Sequence, residues 1–401
     1  MNKKIMIVYL GILAAMAPLA TDMYLPALPE LQAEFGSTTS MTQLTLTMTM
    51  MGMAVGQIFA GPISDLRGRK IPLLLGMLIF MASSLVCVFI NNIYIFLAAR
   101  LIQGLAGACG IVIARAIARD MCQGAELTTF YAVLMMVNGL APILAPVIGG
   151  QILLFSSWHG IFATLAGIGM VMAAATLVYR ETLPVDNRIK SVGATLRVLP
   201  QLMKNRYFMG HCLVQSFIFM SFFSYIGSSS FIFQGIYGVS AQEYSLIFGG
   251  IGVGMLLLGP IPAKLAGKVS EASMLCAAMT VQLAGSICLL VAFLTGFSPL
   301  WLIILFLCCC FMPISVIGAV SFSLALNGQG RNAGSASALL GFFSMFLGGD
   351  HDAGSRLLRH RYGDTYGGDY ADRLCAGDDL LLYYDSPCPS GCLRTCYAYY
   401  V

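Results

Sequence analysis

Charged residues make up only 10% of this 401-residue chain, against roughly 25% in soluble proteins, which excludes an ordinary water-soluble domain. Histidine (4) and tryptophan (2) are scarce. No H-E-x-x-H run, phosphate-cradling glycine loop or pair of carboxylates is present, so an enzyme reading has no support. A second set of absences is local. Residues 350–401 contain no Met, Phe, Lys, Glu, Ile, Asn or Gln, although the whole chain has 24 Met and 24 Phe. That segment nevertheless holds 13 of the 40 charged residues, so two compositions meet at Gly349.

The first 349 residues are rich in long apolar runs. The chain is 58% apolar with a mean hydropathy of +0.83, and a helix needs about 20 apolar residues to cross a bilayer. Runs of that kind are expected to span at 5–28, 42–63, 71–90, 93–114, 128–153, 159–179, 207–233, 244–262, 271–295 and 300–326, with a shorter one at 334–349. The first run continues past Pro18 to Leu28 without a small-residue cleavage site, so it reads as a span and not as a signal peptide.

Lys and Arg mark one side of the membrane. Sixteen of the 17 basic residues before Gly349 fall at the N-terminus or in every second loop, and the remaining one, Arg100, lies inside a span. The positive-inside rule then makes the N-terminus and the long central loop cytoplasmic. Gly61-Pro62-Ile63 closes the second span and Gly259-Pro260-Ile261 the eighth, an echo at an offset of 198 residues that indicates duplicated halves. The expected organisation is a six-helix bundle over 1–179, a cytoplasmic loop over 180–206, an incomplete second bundle over 207–349 and a non-membrane tail over 350–401.

Three motifs interrupt the apolar background. The 2–3 loop carries Gly61, Asp65, Arg67, Gly68, Arg69 and Lys70, where an acid among several bases can exchange partners between two conformations. In the fourth span, Arg100 shares a helical face with Gln103 and Gly104, and a lone arginine in hydrocarbon normally faces a partner or a cavity. Asp22, near the outer end of the first span, lies at a similar depth. It reads either as the partner of Arg100 or as a carboxylate at a wet helix end. The fifth span holds Asn138, Pro142 and Pro146 at four-residue spacing and ends on Gly149-Gly150, a pattern of kinks and close approaches.

The 2–3 loop resembles the corresponding motif of the major facilitator superfamily, with Leu66 where that motif usually has arginine. The stretch Pro18–Pro29 is similar to the first helix of the bicyclomycin/chloramphenicol-resistance branch of drug:proton antiporters, and the fifth span resembles an antiporter motif, with Ala145 in place of the usual glycine. Trp158-His159-Gly160 and Glu181-Thr182-Leu183 around the sixth span, and Ala333–Gly341 in the eleventh, extend the likeness over residues 1–349. The resemblance implies an all-α major facilitator fold of two six-helix pseudo-repeats, about 11 spans being recognisable and the twelfth missing. It also implies a multi-pass bacterial inner-membrane exporter of small hydrophobic drugs, driven by the proton gradient without a cofactor. Such a protein works as a monomer and has no nucleic-acid partner. On this reading Asp22 and Arg100 couple protons, the Gly61–Lys70 loop gates, the fifth span hinges, and Tyr24, Gln103 and Gly104 face the cavity. The abundant Met and Phe either line a soft drug cavity or face lipid. Cys308, Cys309 and Cys310 point in three directions on a helix and have no polar support, which leaves no metal site. The alternatives are a metabolite uniporter or symporter of the same fold, and a truncated product without function.

The tail has a simpler explanation than a purposeful domain. Asp350-His351-Asp352-Ala353, written GAT-CAT-GAT-GCC and read one nucleotide later, becomes Ile-Met-Met-Pro. The same shift can turn Tyr-Gly and Tyr-Ala pairs such as Tyr362-Gly363 into Met and pairs such as Asp364-Thr365 into Ile, and so recovers the missing Met and Ile. Residues after Gly349 are therefore expected to be frameshifted. The competing reading, a thiol or metal site at Cys388, Cys392 and Cys396, rests on four-residue spacing alone.

Overall fold

The computed structural model describes residues 3–121, 124–188, 198–265, 268–295, 297–326 and 333–349, together with positions 191 and 193; the expected tail lies outside them. Among the described residues nine helices are long and apolar enough to cross a membrane. The first half comprises α1 (Lys3–Asp22), α2 (Leu28–Phe35), α3 (Thr39–Arg67), α4 (Lys70–Phe89), α5 (Ile93–Met121), α6 (Gly124–Ile152) and α7 (Trp158–Val178). A short helix, α8 (Leu199–Lys204), leads into α9 (Arg206–Phe231), α10 (Ala241–Leu258), α11 (Ile261–Leu265), α12 (Glu271–Leu294), α13 (Leu300–Phe311), α14 (Ile314–Leu326) and α15 (Ala333–Gly349).

Local chemistry sets the helix ends. Thr38, Asn205 and Ser270 accept backbone N–H groups at the starts of α3, α9 and α12, and Ser240 with Glu243 forms a capping box on α10. Two elements differ from the expected spans. The first continues beyond Leu28, because the turn Leu25–Ala27 and α2 carry the apolar stretch on to Phe35. The tenth is broken between α13 and α14, where Pro313 lacks the N–H a continuous helix needs.

Large apolar side chains cover the exterior: Phe155 is 89% exposed and Leu257 72%, an outer surface suited to lipid and not to water. Inside the first bundle, α3 and α5 approach closely through glycines. A Cβ added at Gly52 would lie 2.0 Å from the Leu101 oxygen, and one at Gly104 2.0 Å from the Thr49 oxygen. Gly52→Leu is therefore expected to cost about 3 kcal/mol or more by overpacking. It should lower the thermal midpoint of the purified protein and the yield of monodisperse material. Gly250→Leu, where an added Cβ meets nothing within 4 Å, should behave like wild type.

The two bundles meet along α3/α15 and α6/α10. Their side-chain hydrogen bonds cluster at the Asp22 end of the molecule. Gln43 donates to the Gly227 oxygen at 3.2 Å, Gln234 to the Pro26 oxygen at 3.0 Å and Gln242 to the Gly150 oxygen at 3.1 Å. The bundles are thus tied together at that end. They also differ in how far one helix of each is buried among the described residues. In the first, α4 has 44% of its most apolar stretch buried and packs against α7; in the second its counterpart α12 has only 17% buried.

Candidate functional site

α1 ends at Asp22, beyond the internal Pro18, and the chain turns through Leu25–Ala27 into α2. Asp22 is only 4% exposed, and its Oδ1 has no hydrogen-bond partner among the described residues. Arg100 of α5 is fully buried. Its Nη2 donates to the Ala20 oxygen at 2.9 Å, its Nη1 to Oε1 of Gln103, and its Cζ sits 4.3 Å from the centre of the Tyr24 ring and 5.3 Å from that of Phe162. Gln103 in turn donates to Ser84 at 2.7 Å, and the Tyr24 hydroxyl bonds Thr45 at 2.9 Å.

A buried guanidinium without compensation is costly. Here a carbonyl, an amide oxygen and two ring faces offset it. Among the described residues no ion pair joins Arg100 to Asp22. Arg100 instead grips the chain at Ala20 and Tyr24, two residues to either side of the carboxylate. Tyr24, Gln103 and Gly104 are buried within the first bundle, where Gly104 admits the backbone of α3.

The fifth-span motif reaches the same turn from the other side. Gly149 admits the Met23 oxygen, which a Cβ there would meet at 1.8 Å, and the next glycine, Gly150, lies against Ser245 of the second bundle. Pro142 and Pro146 lie inside α6 just before this contact; the side chain of Asn138 lies outside the described residues. The Asp22 turn is thus held by Arg100 on one side and by the end of α6 on the other. The interbundle glutamines Gln43, Gln234 and Gln242 were missed in the sequence. Their only signal was an uncharged amide near a span end.

At the opposite end the expected 2–3 loop is mostly helix: Gly61–Arg67 form the last turns of α3, and only Gly68 and the buried Arg69, 1% exposed, separate that helix from α4. Nε of Arg69 donates to Asp120 at 2.8 Å, and its Nη1 donates to Asp65 and to Ser64. Burial opposes the Arg69 charge, but the two carboxylates outweigh it and raise its pKa. Asp65 therefore pairs with Arg69, while Arg67 is exposed at the end of α3. Glu181, from beyond α7, caps α4 by accepting the N–H groups of Arg69 at 2.9 Å and Lys70 at 3.0 Å. Partial burial would raise its carboxyl pKa, but these bonds and those from Thr182 and Leu183 lower it. Gly68, at φ +89, leaves room for this carboxylate, since a Cβ there would lie 2.4 Å from Oε2 of Glu181. Lys70 reaches the Leu177 oxygen at 2.7 Å. Asp120 was not anticipated; its one signal was an acid among the basic residues that end the fourth span.

The sequence pattern of the Major Facilitator Superfamily matches residues 10–349. The chain is 39% identical over 344 residues to the transporter YdgK of Bacillus subtilis, covering 84% of this chain and 85% of the relative. It is 33% identical to a bicyclomycin resistance protein homolog of Haemophilus influenzae, over 86% of this chain and 87% of the relative. A bacterial homolog of the human lysosomal transporter Spinster, solved in an inward-facing and unoccupied conformation, superposes with a TM-score of 0.68 at 14% identity, over 100% of this chain and 92% of that one.

Proposed function

The chain belongs to the Major Facilitator Superfamily, and from that premise we propose that it is a proton-coupled efflux transporter for small hydrophobic drugs. It is a multi-pass membrane transport protein, not an enzyme. The observation that carries the reading is the buried Asp22 carboxylate, unpaired at one oxygen, on a turn gripped by Arg100 and Gly149. A carboxylate so placed exchanges a proton as the bundles rock and its surroundings change. In the bundle arrangement seen here the Asp22 end is tied by three glutamines, so the cycle requires those bonds to break while contacts form at the Arg69 end. The Gly61–Lys70 stretch at the α3–α4 junction, with Asp120 and Glu181, is the gate at that end, and the Pro142–Gly150 stretch of α6, with Asn138, is the hinge.

We place the protein in the bacterial inner membrane as a monomer with its N-terminus cytoplasmic, on the distribution of basic loops. Inside-out vesicles carrying the protein should accumulate a hydrophobic dye when energised and release it on addition of an uncoupler. Dye movement that ignores the uncoupler, together with unchanged drug susceptibility and new growth on a sole carbon source, would assign a metabolite carrier instead. A second reading, a product without function, is favoured by the end of the family likeness at residue 349 and by how little of α12 the described residues bury.

A further inference from the structure

The second bundle contains an aromatic stack whose central ring carries an unused polar group. Tyr225 of α9 lies between Phe248 of α10, at 5.8 Å and an interplanar angle of 5°, and Phe311 at the end of α13, at 4.4 Å and 28°. Phe222 packs on Phe311 from one turn below. The Tyr225 hydroxyl is buried without a partner among the described residues. A phenylalanine would fill the same space without an orphan hydroxyl, so packing alone does not account for a tyrosine there. Phe311 is brought to the stack where the tenth span breaks at Met312-Pro313, and a broken span at mid-membrane depth is tolerated where it lines a path.

The orphan groups continue along the seam between α9 and α14. These helices run in opposite directions, and a Cβ at Gly318 would lie 4.0 Å from the Phe219 ring, which sets Gln215 and Ser321 at one level. Oε1 of Gln215 and Oγ of Ser321 are likewise buried without partners among the described residues. Three unsatisfied polar atoms therefore follow one apolar, aromatic-lined seam.

We propose that this seam is a substrate site, with Tyr225 as a specificity-determining contact: flat aromatic molecules bearing a carbonyl stack beside Phe311, and the Tyr225 hydroxyl donates to that carbonyl. The proposal rests on the transporter reading and names the substrate class. Its test is binding to the purified full chain in nanodiscs without a proton gradient, so that absence of export leaves the result standing. The probes are 7-methoxycoumarin, which is flat and carries a carbonyl, and 2-methylnaphthalene, which is flat and carries none. Wild type should prefer the coumarin. Tyr225→Phe should weaken the coumarin about tenfold, the size of one desolvated hydrogen bond, while naphthalene binding stays within about twofold. Tyr237→Phe removes a hydroxyl bonded to the Ser298 oxygen in the same bundle and should bind both probes as wild type does. The proposal is overturned if neither probe binds wild type above empty discs or if wild type shows no preference. It is equally overturned if Tyr225→Phe shifts both probes alike or neither, or if Tyr237→Phe reproduces its effect.

Discussion

Asp22→Asn is expected to reduce gradient-driven dye accumulation in inside-out vesicles to the level of vesicles without the protein, while gradient-free dye binding stays within about twofold of wild type. The amide keeps the size of the carboxyl group but cannot take up or release a proton. Asp22 lies 4% exposed at the end of α1, and burial makes its charge state sensitive to what approaches it. In this structure Arg100 holds the flanking backbone and not the carboxylate, so coupling requires the distance between them to change during the cycle. Arg100→Gln should therefore impair transport with a different signature: loss of the grip on Ala20 and Tyr24 lowers both gradient-free binding and driven accumulation. Full proton-driven accumulation by the Asn variant would remove Asp22 from the mechanism.

The apolar membrane-spanning helices and the polar positions worth examining were legible because hydrocarbon penalises charge so strongly. Each ionisable group left in a span stands out against the background. What sequence could not show is partnership. Asp65 sits two residues from Arg67 and four from Arg69, and only the helical turn and the buried position of Arg69 decide for the latter. Asp120 and Glu181 reach the same junction from positions 51 and 112 residues away, a convergence that no local pattern encodes. Asp22 and Arg100 share a depth, yet Arg100 is occupied by a backbone carbonyl and two rings, partners with no sequence signature. The break at Pro313 was visible as a proline, but apolar content alone described a continuous span.

Deleting one nucleotide directly after codon 349 is expected to raise the amount of protein in membranes at least about threefold, the scale on which small stability changes alter abundance. The physical reason lies on α12. Ser273, Ala277, Thr280, Ala284 and Cys288 form an exposed row of small side chains at spacings of three and four residues. In lipid such a row contributes little unless another helix closes against it, because helices in membranes associate through close packing of small residues and not through apolar area. The counterpart in the first bundle shows the closed arrangement: α4 is 44% buried and α7 lies against it, with Gly169 at Met81. Under the codons GAT-CAT-GAT-GCC for Asp350–Ala353, reading one nucleotide later gives Ile-Met-Met-Pro, and the restored frame is expected to continue as an apolar helix that covers α12. The family likeness also ends at residue 349, where the composition changes. Ala284→Phe separates restored packing from a generic gain. It should lower abundance in the repaired protein, where the row is covered, and leave the unrepaired chain unchanged. Equal effects in the two backgrounds, no gain on repair, or stop codons early in the shifted frame would each reject the frame break as the origin of the tail.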